Sequence, residues 1–305
     1  MEQATIFASI VAAAIADVSF ACAVGACLAV LMLRDAPPLT RNRLRRFAGG
    51  GLAILIVANI VNLLLEAALM SGSAPVAAFA EIVPVLTQSH FGAAWLSGLV
   101  SLIVWTALLV GARSFGRSGP TGLALFAAAI FAFTKAASTH AADAGDFSLP
   151  EWVHWVHLCA TAAWAGLVIA SALFVLPMLR ADSAGDVRIV FVGRLSRAAL
   201  LAFIVVLASG IYNANRGLGG SLVPLARSDW GVILATKLLL VGAATALGGV
   251  NRMVYLPRIR HGGPGSAAHS FLTILRAEAI AMLGVLSAAA VLAHTAPGVQ
   301  PGSLP

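Results

Sequence analysis

Eight runs of the chain are each long and apolar enough to cross a hydrocarbon layer, and that alternation of apolar runs with short polar joints leaves few folds open. They cover residues 5–33, 47–70, 90–112, 120–140, 152–176, 195–215, 230–250 and 275–296. About 20 apolar residues span roughly 30 Å as a helix. In lipid every backbone N–H and C=O must find its partner within the protein, so each run predicts a helix. Of the 305 residues 60% are apolar and only 10% charged, proportions foreign to a soluble domain. The expected fold is all-α, a polytopic integral membrane bundle of about eight transmembrane helices with the lipid bilayer as its solvent.

Basic residues give the orientation, because loops rich in Arg stay on the cytoplasmic side. With the N-terminus outside, the inner loops and helix edges collect Arg34, Arg41, Arg43, Arg45, Arg46, Arg113, Arg117, Arg180, Arg188, Arg194, Arg197, Arg252, Arg258, Arg260 and Arg276, against Arg216 and Arg227 outside. Both termini are therefore expected to be periplasmic. The net charge of +7 is a topology signal and does not mark a nucleic-acid surface, so no nucleic-acid partner is expected. The opening "MEQATIFASI" lacks a basic leader segment, which predicts that the first span is retained. Cys22, Cys27 and Cys159 form no C-x-x-C pair and are expected to be packing residues.

Two segments repeat. "SHFGAAWLSGL" (89–99) aligns with "SDWGVILATKL" (228–238), and "STHAADAG" with "LAHTAPG", which sets His140 opposite His294; at nearly the same offset Asp17 falls opposite His157. The chain divides into a four-span half over 1–145 and a second over 146–305. Four spans is an even number, so the halves enter the membrane in the same sense, as a parallel repeat. The segment "SGSAPVAAFAEIVPVLTQS" predicts an interfacial helix, and "HGGPGSAAHS" an inner loop.

Chemistry concentrates at the outer edge. Five of seven histidines fall there: His90, His140, His154, His157 and His294. His154 and His157 are one helical turn apart on one face. Neutral imidazole suits Cu(II), Zn(II) or haem iron, and histidine alone does not choose among them. Methionine is too scarce for a Cu(I) ladder.

Deeper lie Asp17, near the middle of span one, and Asn59, Asn62 and Glu66, on one face of span two. An ionisable group there costs about 2.5 to 3.5 kcal/mol, so it is expected to have a partner or a watery cavity. Lys237 has two readings, a functional group or a side chain that snorkels outward, and Lys135 is expected to snorkel. Glu278 falls in the first turn of the last apolar run beside Arg276, where an acid complements the helix dipole. Trp152, Trp155 and Trp230 fit an outer aromatic belt.

The motifs "STHAADAG", "EWVHWVHLCATAAWAGL", "RLSRAALLAFIVVLASGIYNA", "SDWGVILATKLLLVGAATALGGVNRMVYLP" and "LRAEAIAMLGVLSAAAVLAHTAP" resemble, in that order and over about residues 137 to 297, the copper resistance protein D (CopD) family. The first half resembles it loosely. Thr139 and Ala165 stand where that family tends to have Gly. The resemblance implies a bacterial inner-membrane protein of about eight spans that moves copper toward the cytoplasm or handles it at the periplasmic face, working with a separate periplasmic copper-binding β-sandwich of the CopC type.

It selects a copper ion, Cu(I) or Cu(II), as the metal. The expected site is His140, His154, His157 and His294 with His90 nearby, and Asp17, Asn59, Asn62, Glu66 and Lys237 line the inward path. The alternative is a b-type haem protein for electron transfer with the outer histidines as axial ligands; the third is a membrane scaffold with merely interfacial histidines. No catalytic residues are expected, and the chain carries no P-loop for ATP.

Overall fold

The computed structural model describes residues 2–115, 119–139, 142–181, 185–219, 221–261 and 265–296. Eight helices are long and apolar enough to cross a membrane. We label them α1 (Glu2–Met32), α2 (Pro38–Ser71), α3 (His90–Phe115), α4 (Gly119–Ala137), α5 (Leu149–Ala170), α6 (Gly185–Gly217), α7 (Asp229–Val250) and α8 (Gly265–Ala293). Among the described residues there is no strand. The protein is a polytopic helical bundle.

Most helices outrun their apolar windows at the inner end, because arginine is a good helix former and continues the spiral past the lipid-facing stretch. In α2 this buries Arg45, whose Nη1 donates to Asn42 Oδ1 at 3.2 Å. Glu278 is affected most: α8 starts at Gly265, so the residue lies at mid-helix, buried, and not in a first turn where it would complement the dipole.

Helix ends follow local chemistry. Proline near the start of α2 and α5 costs no hydrogen bond there, and Gly72 closes α2 in the left-handed region at φ +67°. Ser89 and Ser228 build the same corner twice. Ser89 Oγ accepts from Gly92 N at 2.9 Å and donates to Val85 O at 2.6 Å; Ser228 Oγ accepts from Gly231 N at 3.0 Å and donates to Pro224 O at 2.7 Å. A Cβ on Gly92 or Gly231 would strike the preceding short helix, Ile82–Gln88 or Val223–Arg227, at 2.2 Å. Thus the first helix of each corner stands against the next without a gap.

Both α5 and α7 continue through a π turn, Ser171–Val175 and Asn251–Tyr255, placed shortly before Pro177 and Pro257. Each proline lacks an N–H and frees a carbonyl one turn back, which the wider turn accommodates.

Helices α1 and α5 form the centre. They cross where Gly25 meets Gly166, so closely that a Cβ on Gly25 would lie 2.1 Å from the Gly166 backbone. Around them, α1 packs on α2 and α5 on α6; α3 pairs with α4 and α7 with α8; α1 also touches α8, and α5 touches α4. One core cluster runs through these contacts, with Phe20 edge-on to Trp105 at 6.0 Å and Trp164 tilted on Phe203 at 5.0 Å. The segment between α2 and α3 is helical, Ala77–Glu81 and then Ile82–Gln88, and it packs Ala78 and Val85 against Leu63, Ala67 and Ala68.

Candidate functional site

Helix α5 carries His154 and His157 one turn apart, and α6 runs antiparallel beside it with Ser209 and Asn213 at matching spacing. His157 Nδ1 lies 3.0 Å from Ser209 Oγ, and His154 Nδ1 lies 3.4 Å from Asn213 Nδ2. The two imidazoles are nearly parallel, 20° between planes and 6.4 Å between centroids. His157 is buried, with 9% of its surface exposed; His154 is half-buried.

Hydrogen-bond bookkeeping sets the chemistry of His157. Ser209 Oγ uses its one proton on Val205 O at 2.6 Å, so at His157 it accepts from Nδ1–H. That tautomer leaves the Nε2 lone pair as the donor atom, in the manner of a metal-ligating histidine whose other nitrogen is tied to a second group. Gly210 permits the approach: a Cβ there would lie 3.3 Å from His157 Cε1. Sequence reasoning missed Ser209, Gly210 and Asn213; their signal was small and polar residues at helical spacing in "LASGIYNA".

Charges gather around this pair. Lys135 and Asp17 form an ion pair joining α4 to α1, which corrects the expectation that Lys135 snorkels. Lys135 lies two residues before the end of α4, so the pairing sets Asp17 beside that helix end, its charge already compensated. Lys237 on α7 is half-buried and acts electrostatically on His154, His157 and Asp17; Lys135, Asp17 and Arg216 act on His154 as well. One polar layer therefore runs through α1, α4, α5, α6 and α7.

The other expected residues are placed apart from the pair or outside the described part. His90 is exposed and meets Asp146 Oδ1 at 3.0 Å, in the turn before α5. His294 Nδ1 lies 2.8 Å from Ala290 O, and the residue is within electrostatic reach of Glu66 on α2. Asn59 offers its backbone carbonyl to Trp95 Nε1 at 3.2 Å, and Asn62 is half-buried on the same helix. His140 lies outside the described residues. Among the described residues no three His, Cys, Asp or Glu side chains converge at metal-binding spacing.

Aromatic residues roof the layer on the α4–α5 side. Trp155 Nε1 donates to Ala129 O at 2.8 Å, and Phe133, Phe147 and Trp152 pack around it. Phe147 sits at φ +57°, held by its N–H to the buried Glu151 carboxylate at 2.5 Å. Trp230 departs from the belt expected of it: it is buried, pressed on Gly217. Cys27 is buried in the core and all three cysteines are free thiols.

Comparison with known proteins bears on the whole chain. Residues 1–149 match the family model described as copper resistance protein D-like, N-terminal domain, and residues 189–292 match that of copper resistance protein D. The likeness of the first half is thus firmer than its motifs suggested, and the histidine pair lies between the two matched segments. Copper resistance protein D of Pseudomonas syringae pv. tomato is 28% identical over 270 residues, covering 81% of this chain and 82% of that protein. No solved structure matches. With both models placed in order along one eight-helix membrane bundle, the chain belongs to the copper resistance protein D family.

Proposed function

We propose that the protein carries copper across the bacterial inner membrane, from periplasm toward cytoplasm, and that copper is taken up at the outer histidine pair. One observation supports this above the others: Ser209 ties down Nδ1 of His157 and leaves Nε2 as a donor inside a buried polar layer. His154 joins as a second ligand when the Asn213 amide turns its oxygen to Nδ1–H, freeing Nε2 there too. The family places copper before other imidazole-loving metals, and the matched families are named for copper, not haem. A separate periplasmic copper-binding protein of the CopC type supplies the ion at the outer face.

Lys237 is the charge that opposes a cation at this pair. A copper ion and the Lys237 ammonium repel one another, so loading moves that side chain outward, the direction its helix already inclines it. Asp17, neutralised by Lys135, lies beside the ion's route without holding it. His294 with Glu66, and Asn59 with Asn62, form a second polar face on α8 and α2 that the ion can meet on its way in.

Titrating purified protein with copper tests the reading. His157→Ala is expected to abolish stoichiometric binding and His154→Ala to weaken it about tenfold or more, the range for losing a ligand or its support. Unchanged stoichiometry and affinity in both variants would contradict it.

A further inference from the structure

Inward of the histidine layer, α5, α6 and α7 line a second polar place together with α8. His157 and Ser209 are followed, about 10 Å further in along α5 and α6, by Trp164 and Phe203, whose rings touch. Beyond that aromatic pair lies a cavity of about 150 Å³ between α5, α6, α7 and α8. Helices α6 and α7 barely pack on each other. They meet where Trp230 presses Gly217, where Arg252 Nη1 donates to Ser196 O at 3.0 Å and to Ser196 Oγ at 2.8 Å, and where Arg260 nears Gly193. Between the first two contacts the space stays open.

Glu278 and Asn251 are the polar side chains this cavity leaves unanswered. Glu278 is 4% exposed and Asn251 3%. Both amide atoms of Asn251 lack a hydrogen-bond partner among the described residues, and the Glu278 carboxyl lines the same cavity. A Cβ on Gly248 would stand 3.0 Å from Glu278 Oε1, so glycine there gives the carboxyl its room. Glu278 lies midway along α8 and beside Gly248, close to the C-terminal end of α7 and to Arg252.

The charged and titratable surroundings are sparse. Among the described residues Arg252, in the π turn after α7, is the only other charged one lining the cavity, and it is engaged with Ser196 of α6. Helix α5 contributes Trp164 and Val168, and α8 itself Phe271 and Leu275. Helix α1, which also packs on α8, contributes none of its ionisable groups, Glu2, Asp17, Cys22 or Cys27, to the lining. A buried acid without a paired cation is costly in its charged form, and such a group inside a membrane bundle marks an ion or proton route. The cavity has volume for several waters, at roughly 30 Å³ each, to bridge carboxyl and amide.

We propose that Glu278, with Asn251 beside it, is a proton-binding site that exchanges its proton with solution by way of water in this cavity. Carboxyl and amide oxygens are hard donors and a poor match for Cu(I), which separates this site in kind from the histidines. On the transport reading, the acid releases its proton as the cation passes the Trp164–Phe203 pair and takes one up when the cation leaves, so the cavity's charge stays balanced. The coupling rests on that reading; the proton site does not.

A hydrophobic carbodiimide tests the site on the full-length protein in detergent. It adds across a protonated carboxylic acid to give a stable N-acylurea with no leaving group, and peptide mass spectrometry locates the adduct. Glu278 is expected to be labelled, with a rate that falls about tenfold per pH unit once the acid ionises, and Glu278→Gln is expected to give no adduct in that peptide. Asn251→Leu is expected to shift the pH at which labelling falls. Absence of labelling at Glu278 in folded wild-type protein, or labelling independent of pH, would overturn the proposal. Copper uptake into vesicles separates the two ideas: Glu278→Gln is expected to keep copper binding at wild-type stoichiometry and lose the pH dependence of uptake. Wild-type vesicles that take up no copper would sink the transport reading and leave the labelling result to judge the proton site.

Discussion

Ser209 decides what His157 can do, and small changes around that contact should be measurable. Ser209→Ala removes the acceptor that sets the tautomer, so copper affinity is expected to drop about 10- to 100-fold with the fold intact. Gly210→Ala crowds the ring at 3.3 Å and is expected to weaken binding by a smaller factor. Lys237→Met removes a like charge and is expected to tighten copper binding about tenfold, the worth of ~1.4 kcal/mol. Isothermal titration of the three variants checks all of these, and a looser Lys237→Met would reverse the assigned role of that lysine. The histidines themselves were legible in the sequence by their position and spacing. Ser209, Asn213 and the Lys135–Asp17 pair were not, because each depends on which helix stands beside which, and residue spacing within one helix carries no information about its neighbour.

At the scale of elements, the eight helices follow from hydropathy alone, while their ends do not. The apolar windows stop where arginine starts, but the helices continue, and that difference of several residues moved Glu278 from a first turn to a buried position at mid-helix. The two π turns escaped notice because their signal is a single proline each. The α1–α5 crossing is the element most exposed to mutation. Gly25 and Gly166 stand in backbone contact, so Gly166→Ala is expected to cost about 3 kcal/mol or more, at the upper end of overpacking penalties. A thermal melt in detergent that matches wild type would contradict the packing described.

Lys135→Ala strands the half-buried Asp17 and is expected to destabilise by less than about 3 kcal/mol, the loss for a fully buried pair, because both groups keep some water. The double variant Asp17→Asn/Lys135→Met is expected to recover most of that loss, since it leaves no unpaired charge.

For the whole molecule, the pairing of α1 with α2 and of α3 with α4 is repeated by α5 with α6 and α7 with α8, though α6 and α7 do not pack as α2 and α3 do; two serine corners share the same hydrogen bonds, and a glycine crossing joins the halves. We propose that the chain is a parallel repeat of two four-helix halves with both termini periplasmic, so that single cysteines placed at Gln3 and Ala296 would both label from outside and one at Arg43 only after permeabilisation. The division of labour between halves is unequal: the second carries the histidine pair, the aromatic pair and the Glu278 cavity, while the first supplies Asp17 and Lys135 to the rim of the layer.

X-ray absorption at the copper edge of the loaded, purified protein asks the central question most directly. The histidine assignment predicts a nitrogen shell with the multiple scattering of imidazole, diminished in His154→Ala and lost in His157→Ala; a spectrum dominated by sulfur, or one unchanged in both variants, would contradict it.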